Sequence, residues 1–207
     1  AAGGFIDILG YPFCRGRILS TVEQDQGQYD VAREVFWASG AAFCCRADVF
    51  RMLGGFDADF FAHMEEIDLC WRMQLAGYRI MVEPRSVVYH LGGGTLPNES
   101  PQKLYLNYRN NLSMLFKCAP TWQRIIVAVV RPICDMLSAV IYFLRGDKAL
   151  GQATLRAYRD FLDDHKELNR KRQAIRSSCK AESQQIYKGS IILRYAFGKK
   201  TFGDMMK

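Results

Sequence analysis

Three carboxylates stand close together at Glu65, Glu66 and Asp68. They precede an apolar stripe formed by Ile67, Cys70, Trp71 and Leu75, whose spacing predicts a helix over Glu66–Ala76. Acids at a helix start sit where the helix dipole favours anions, so they stay ionised there. An ionised carboxylate can take a proton from a reacting hydroxyl. The plainer alternative is that these acids only cap the helix. Downstream, His90 ends a short apolar stretch and precedes Gly92-Gly-Gly94. A neutral imidazole is a good transition-metal ligand, and a lone histidine at a strand end is as readily structural. The glycine triplet reads either as a backbone nest for phosphate or a lid, or as a plain loop. The seven cysteines are odd in number and lack metal-type spacing, Cys44 and Cys45 being adjacent. Buried thiols in a reducing compartment explain them better than a disulfide framework or a zinc site.

The elements that must position these groups follow from composition and period. The chain has 207 residues, 49% apolar and 24% charged, which is globular and neither disordered nor low-complexity. Residues 5–30 read as loop-rich, and Tyr11-Pro-Phe-Cys-Arg-Gly-Arg17 has no clean period. Phe36 to Cys45 reads as a buried strand with a close backbone approach at Gly40. A short helix is expected over Ala47–Leu53, stopped by Gly54-Gly55. Tyr78 to Glu83 and Val87 to His90 read as strands separated by Pro84. Ser100-Pro101 has the form of an N-cap and first helical position, opening a helix to about Lys117. Trp122 to Leu144 is apolar but interrupted by Arg131, Pro132 and Asp135, so it reads as a buried hairpin or a helix lying in a membrane interface. A basic helix follows over residues 147–176, then a basic tail with interspersed aromatics.

Charge divides the chain. Residues 1–100 hold 8 Lys+Arg against 13 Asp+Glu, a net of −5, and residues 101–207 hold 20 against 8, a net of +12. An acidic half joined to a basic half suggests two tasks, a carboxylate site and a surface for a polyanion. The chain opens on Ala1 with no basic-then-apolar leader, and the missing Met points to residues upstream.

Five stretches in order carry a resemblance: Phe36-Trp-Ala-Ser-Gly-Ala-Ala42, Gly54-Gly-Phe-Asp57, Phe60-Phe-Ala-His-Met-Glu-Glu-Ile-Asp-Leu-Cys-Trp-Arg72, Gly77-Tyr-Arg-Ile80 and Val87-Val-Tyr-His90. Together they resemble the family 2 glycosyltransferases, and Asn107-Tyr-Arg-Asn-Asn-Leu112 is similar to a segment that follows the catalytic domain in bacterial members. The resemblance implies an α/β GT-A fold, a nucleotide-sugar donor, a divalent metal (Mg²⁺ or Mn²⁺) and inversion at the anomeric carbon. It covers residues 1–118, which would be the acceptor-side half of such a domain, with 119–207 a mostly helical basic extension. The donor-binding half with its Asp-x-Asp is not recognised, since the Asp57-Ala-Asp59 string follows no nucleotide-binding strand.

The resemblance also assigns roles. Glu65-Glu66 aligns with the family's Glu-Asp pair, whose second member is the usual catalytic base, so Glu66 is the expected base, one methylene longer than the family's Asp. Asp68 is the runner-up, or else pairs with Arg72. Trp37, Ser39 and Gly40 resemble the stretch lining the sugar and acceptor region, although a tryptophan in an apolar run is as readily core. His90 is expected at the metal or diphosphate, and His63 receives no role. The expected partners are a nucleotide-sugar donor, a glycan or lipid-linked acceptor and an anionic membrane surface, without nucleic acid. The expected location is cytoplasmic, on the inner face of the membrane. The rival expectation is a non-catalytic membrane- or partner-binding module derived from a transferase fragment.

Overall fold

Chain-reversing glycines build the first sheet. In a computed structural model, which describes residues 3–90, 100–183 and 185–206, β1 (Gly4–Asp7) and β2 (Pro12–Cys14) pair antiparallel around Gly10, whose φ is +81°. β3 (Arg17–Ile18) pairs with β2 after Gly16, at φ +77°, and β4 (Thr21–Val22) completes the meander. Positive φ is open to glycine without steric cost. The stretch expected to be irregular is therefore sheet. Strands of two and three residues are too short to display a period of two, which is why the pattern hid them.

The expected strand over Phe36–Cys45 is also corrected. β5 (Arg33–Val35) ends before Phe36, and Gly40–Ala42 forms a 3₁₀ turn capped by the Ser39 hydroxyl, which accepts from the Ala41 N–H at 3.3 Å. Phe36 and Trp37 are buried without being in a strand. No close approach demands glycine at 40, because a Cβ there would meet Glu66 at an ordinary 3.9 Å.

Helix α1 (Ala47–Met52) and helix α2 (Glu65–Leu75) follow, and β6 (Ile80–Val82) pairs antiparallel with β5. No strand forms over Val87–His90. Val87, Val88 and Tyr89 are exposed, and no described strand lies beside them to complete a ladder. Gly92–Gly94 lie outside the described residues.

Ser100 caps α3 (Pro101–Cys118) as its sequence predicts, accepting from the Lys103 N–H at 3.2 Å. Then comes α4 (Thr121–Leu144), a single 24-residue helix with Pro132 inside it, not a hairpin. By length and composition alone it is long and apolar enough to cross a membrane. The expected basic helix is two, α5 (Lys148–Asp163) and α6 (His165–Ser177), meeting at Asp164. Beyond them, β7 (Ile186–Tyr187) adds to β1 in parallel, giving the sheet order β4-β3-β2-β1-β7. α7 (Ile191–Ala196) and α8 (Phe202–Met206) close over it. Phe202 lies 5.6 Å from Phe5 between ring centroids, so residues on both sides of position 118 share one core with Phe13, Phe36 and Trp71. The architecture is mixed α/β, with helix predominating.

Candidate active site

The approach to α2 is bent backward. His63 and Met64 both have left-handed backbones, at φ +67° and +70°. For residues with side chains such conformations cost about 1–3 kcal/mol each and persist only when neighbours hold them. The neighbours here are two asparagines of α3. Asn110 Nδ2 donates to the carbonyls of Ala62 and His63, both at 2.8 Å. Asn111 Nδ2 donates to the Gly10 carbonyl at 2.8 Å, and its own oxygen accepts from Arg131 of α4 at 2.8 Å. The bend brings Glu65 and Glu66 into the first turn of α2, which has no capping side chain of its own.

What distinguishes this turn is unmet polarity. Glu65 Oε2, Glu66 Oε2, His63 Nε2 and Asn110 Oδ1 are all buried and have no hydrogen-bond partner among the described residues. Buried polar atoms in native structures are nearly always paired, so four such atoms on neighbouring residues call for an explanation. A bound polar ligand supplies one.

The electrostatics correct one expectation. The helix start does not keep Glu66 at an ordinary carboxylate value. Burial, then the charge of Glu65, push its carboxyl up to about 7, against the pull of the N–H groups of Glu66, Ile67 and Gly40. The group therefore titrates near neutral pH, where a proton acceptor is most effective. His63 shifts the other way: burial, then Lys103, lower its pKa, against the opposing pull of Glu65, and favour the neutral ring.

Asp68, two residues on, has the opposite surroundings. It is fully buried, and its oxygens accept from Arg72 Nε at 2.8 Å and Lys117 Nζ at 2.9 Å. Arg72 also donates to the carbonyls of Leu53 and Gly55 at 2.8 Å. Lys117 pairs with Asp57 as well, and Lys171 of α6 pairs with Asp57 at 2.5 Å and Asp59 at 2.6 Å. The Asp57-Ala-Asp59 string is thus occupied by lysines, and Asp68 ties α2 to α3.

Of the two readings of Trp37, sugar contact or core, the structure places the residue in the core. Its ring lies against the Gly4 backbone, where a Cβ would come within 2.0 Å, and Nε1 donates to the Phe5 carbonyl at 3.1 Å. Ser39 caps the 3₁₀ turn, and Gly40 does lie beside Glu66. His90 is exposed, and no contact joins it to the α2 turn among the described residues. No group of three or more His, Cys, Asp or Glu among the described residues could hold a metal. Among the described residues there is thus no complete ligand set for the divalent ion implied by the resemblance.

Sequence reasoning passed over His63, Asn110 and Asn111 as site residues. The asparagines did leave a signal: two adjacent poor helix formers in the middle of a strong helix pattern.

Comparison with known proteins identifies glycosyltransferases. An N-acetylglucosaminyl-diphospho-decaprenol L-rhamnosyltransferase of Mycobacterium tuberculosis is 27% identical over 122 residues, 59% of this chain and 39% of that protein. A pre-mycofactocin glycosyltransferase of Mycobacterium tuberculosis is 41% identical over 56 residues, 27% of this chain and 12% of that protein. Rhamnosyltransferase WbbL of Escherichia coli is 38% identical over 56 residues, 27% of this chain and 21% of that protein. The chain thus spans well under half the length of these relatives. No family model matches, and no solved structure matches. The relationship is to glycosyltransferases as a class.

Proposed function

We propose that this chain supplies the acceptor-activating part of an inverting glycosyltransferase of the family 2 type, with Glu66 as catalytic base. The observation that carries the reading is the upshifted carboxyl of Glu66, one oxygen of which has no partner among the described residues, beside Gly40 on a turn held in a costly backbone conformation. In the step, Glu66 takes the proton of an acceptor hydroxyl. The acceptor oxygen forms its bond to the anomeric carbon as the bond from that carbon to the diphosphate breaks, and a nucleoside diphosphate leaves. Glu65 raises the basicity of Glu66, and Asn110 and Asn111 hold the turn. Asp68 is a structural partner of Arg72 and Lys117.

The donor would bind a half-domain outside this chain, a reading supported by the relatives' greater length. A divalent ion, Mg²⁺ or Mn²⁺, would find its ligands chiefly there, with His90 as a contributor from this chain. The acceptor is a hydroxyl of a glycan or a lipid-linked saccharide. A cytoplasmic setting suits seven cysteines that are all unpaired.

The test is Glu66→Gln in protein that includes the donor-binding half. Turnover should fall by about 10²–10⁴-fold with donor affinity unchanged. The same variant should melt higher than wild type at pH 8 and equally at pH 4. A folded-state pKa above the unfolded value means that ionising Glu66 costs stability as pH rises from the unfolded value through about 7. Near-normal kcat in this variant would sink the assignment.

A further inference from the structure

Helix α4 is built with its polarity reversed. The face it turns to the protein carries Gln123, Val127, Arg131, Asp135 and Ala139, each buried. The face it turns outward carries Trp122, Ile125, Val129, Ile133, Leu137 and Leu144, each between 50% and 82% exposed. With Val140 and Ile141, also exposed, the outward spacing of three or four residues makes one continuous stripe, about 36 Å long at the helical rise of 24 residues. Soluble proteins rarely leave an apolar patch of this extent uncovered.

The buried polar face fixes how the helix can lie. Arg131 donates to the Leu9 carbonyl at 2.9 Å, to Asn111 at 2.8 Å and to Asp135 at 3.1 Å. The hydroxyls of Tyr11 and Tyr158 donate to Asp135 at 2.8 and 2.6 Å. Gln123 donates to the Ile8 carbonyl at 3.1 Å. These bonds are spread along half the helix, so its axis is fastened lengthwise to the β1–β2 turn, to α3 and to α5. To cross a bilayer it would have to pull a buried ion pair out of its partners and into hydrocarbon, which is strongly unfavourable.

The flanks select the occupant. Arg124 stands at one end of the stripe, near Arg172 and Arg176; burial, then the charges of Arg124 and Arg176, lower the Arg172 pKa. Arg145 and Lys148 stand at the other end, with Asp147 between them, all exposed. A second copy laid antiparallel on the stripe would set Arg124 against Arg145 and Lys148, and a parallel copy would set each cation against itself. An anionic surface satisfies both ends at once. Trp122 at the start and Phe143 at the end add the aromatic edges that favour a membrane interface. The apolar surface also continues into a groove of about 590 Å³ between α4, α5 and α6, with exposed Ile125 and Leu162 among its lining residues.

We propose that α4 is a monotopic membrane element that lies flat in the headgroup–acyl boundary of an anionic phospholipid bilayer, its outward stripe inserted and its polar face kept on the protein. The proposal does not depend on the chemistry assigned to Glu66.

Trp122 makes the test direct. Of the three tryptophans, Trp37 and Trp71 are buried, so a spectral change on adding vesicles reports α4. With phosphatidylcholine–phosphatidylglycerol vesicles the emission should shift to the blue, and lipids brominated near the headgroup should quench it. Ile133→Trp in a Trp122→Phe background moves the reporter to the helix centre. A flat helix predicts shallow quenching there as well, and quenching strongest at the bilayer midplane would overturn the proposal. Val129→Glu with Ile133→Glu, both at exposed positions, should weaken vesicle binding at least about tenfold while leaving the melting temperature unchanged. Undiminished binding by that double variant would overturn it. So would equal binding to neutral vesicles, or a concentration-dependent dimer with no vesicle binding at all.

Discussion

Two sets of acids lie on one helix and have opposite surroundings. Asp68 is fully buried and matched by Arg72 and Lys117, and its neighbour Asp57 is matched by Lys117 and Lys171. Burial works against the Asp57 charge, but the two lysines outweigh it and hold its carboxyl well below the usual range. Glu65 and Glu66, less than a turn away, form no salt bridge among the described residues, and burial, then Glu65, push Glu66 up to about 7. Burial alone does not mark a functional carboxylate, because Asp68 is the more buried. What separates the two sets is compensation. A buried charge with its counter-ion holds the fold together, and a buried carboxyl without one is left free to exchange a proton.

Removing the compensation should cost the most. Lys117→Met leaves Asp57 and Asp68 short of a partner at a site where Lys117 is 1% exposed, and chemical denaturation should show a loss of about 3–5 kcal/mol. A smaller change would mean that Arg72 and Lys171 suffice, and would blur the contrast. Glu65→Gln acts on the other set. It removes the second cause of the Glu66 upshift, so the acid limb of the pH–rate profile, expected near pH 7, should move to lower pH. The move should stop short of an ordinary glutamate value, since burial is the larger cause. An unmoved limb would separate the limb from Glu66. The smallest effect belongs to the rim: Asp59, 55% exposed, pairs with Lys171, and Asp59→Asn should cost under about 1 kcal/mol by thermal melts.

The faces and boundaries of α1, α2 and α3 were legible, whereas α4 read equally as a hairpin, α5 and α6 as one helix, and α7 and α8 only as tail. The apolar face of α2, the Ser100-Pro101 start of α3 and the Gly54-Gly55 stop of α1 each state their element locally. The first sheet was not, because its strands are too short for a pattern and its last strand, β7, joins β1 from far along the chain. Glu66 and Asp68 were found by residue type and position, but their difference was hidden. It rests on Lys117, a residue 49 positions beyond Asp68 that sequence order does not connect with it. The same holds for the bend at His63–Met64, which Asn110 secures from another helix. The place of Trp37 stayed open in the sequence because an aromatic in an apolar run has the same signature whether it faces a ligand or, as here, the Gly4 backbone.

The pairing of β1 with β7 has a consequence in time. The outer edge of β1 is completed by Ile186 and Tyr187, and the carboxylate of Asp7 accepts from the Ile191 N–H, a contact between residues 184 positions apart. As the chain leaves the ribosome, the helices can form early from neighbouring residues, while β1 waits with an open edge until Ile186 and Tyr187 have been made. Through that interval Phe5 and Phe13 lack Phe202, their later neighbour in the core. A nascent chain paused before residue 186 therefore presents an unpaired strand beside uncovered aromatics, the kind of surface that chaperones bind and that aggregates form on.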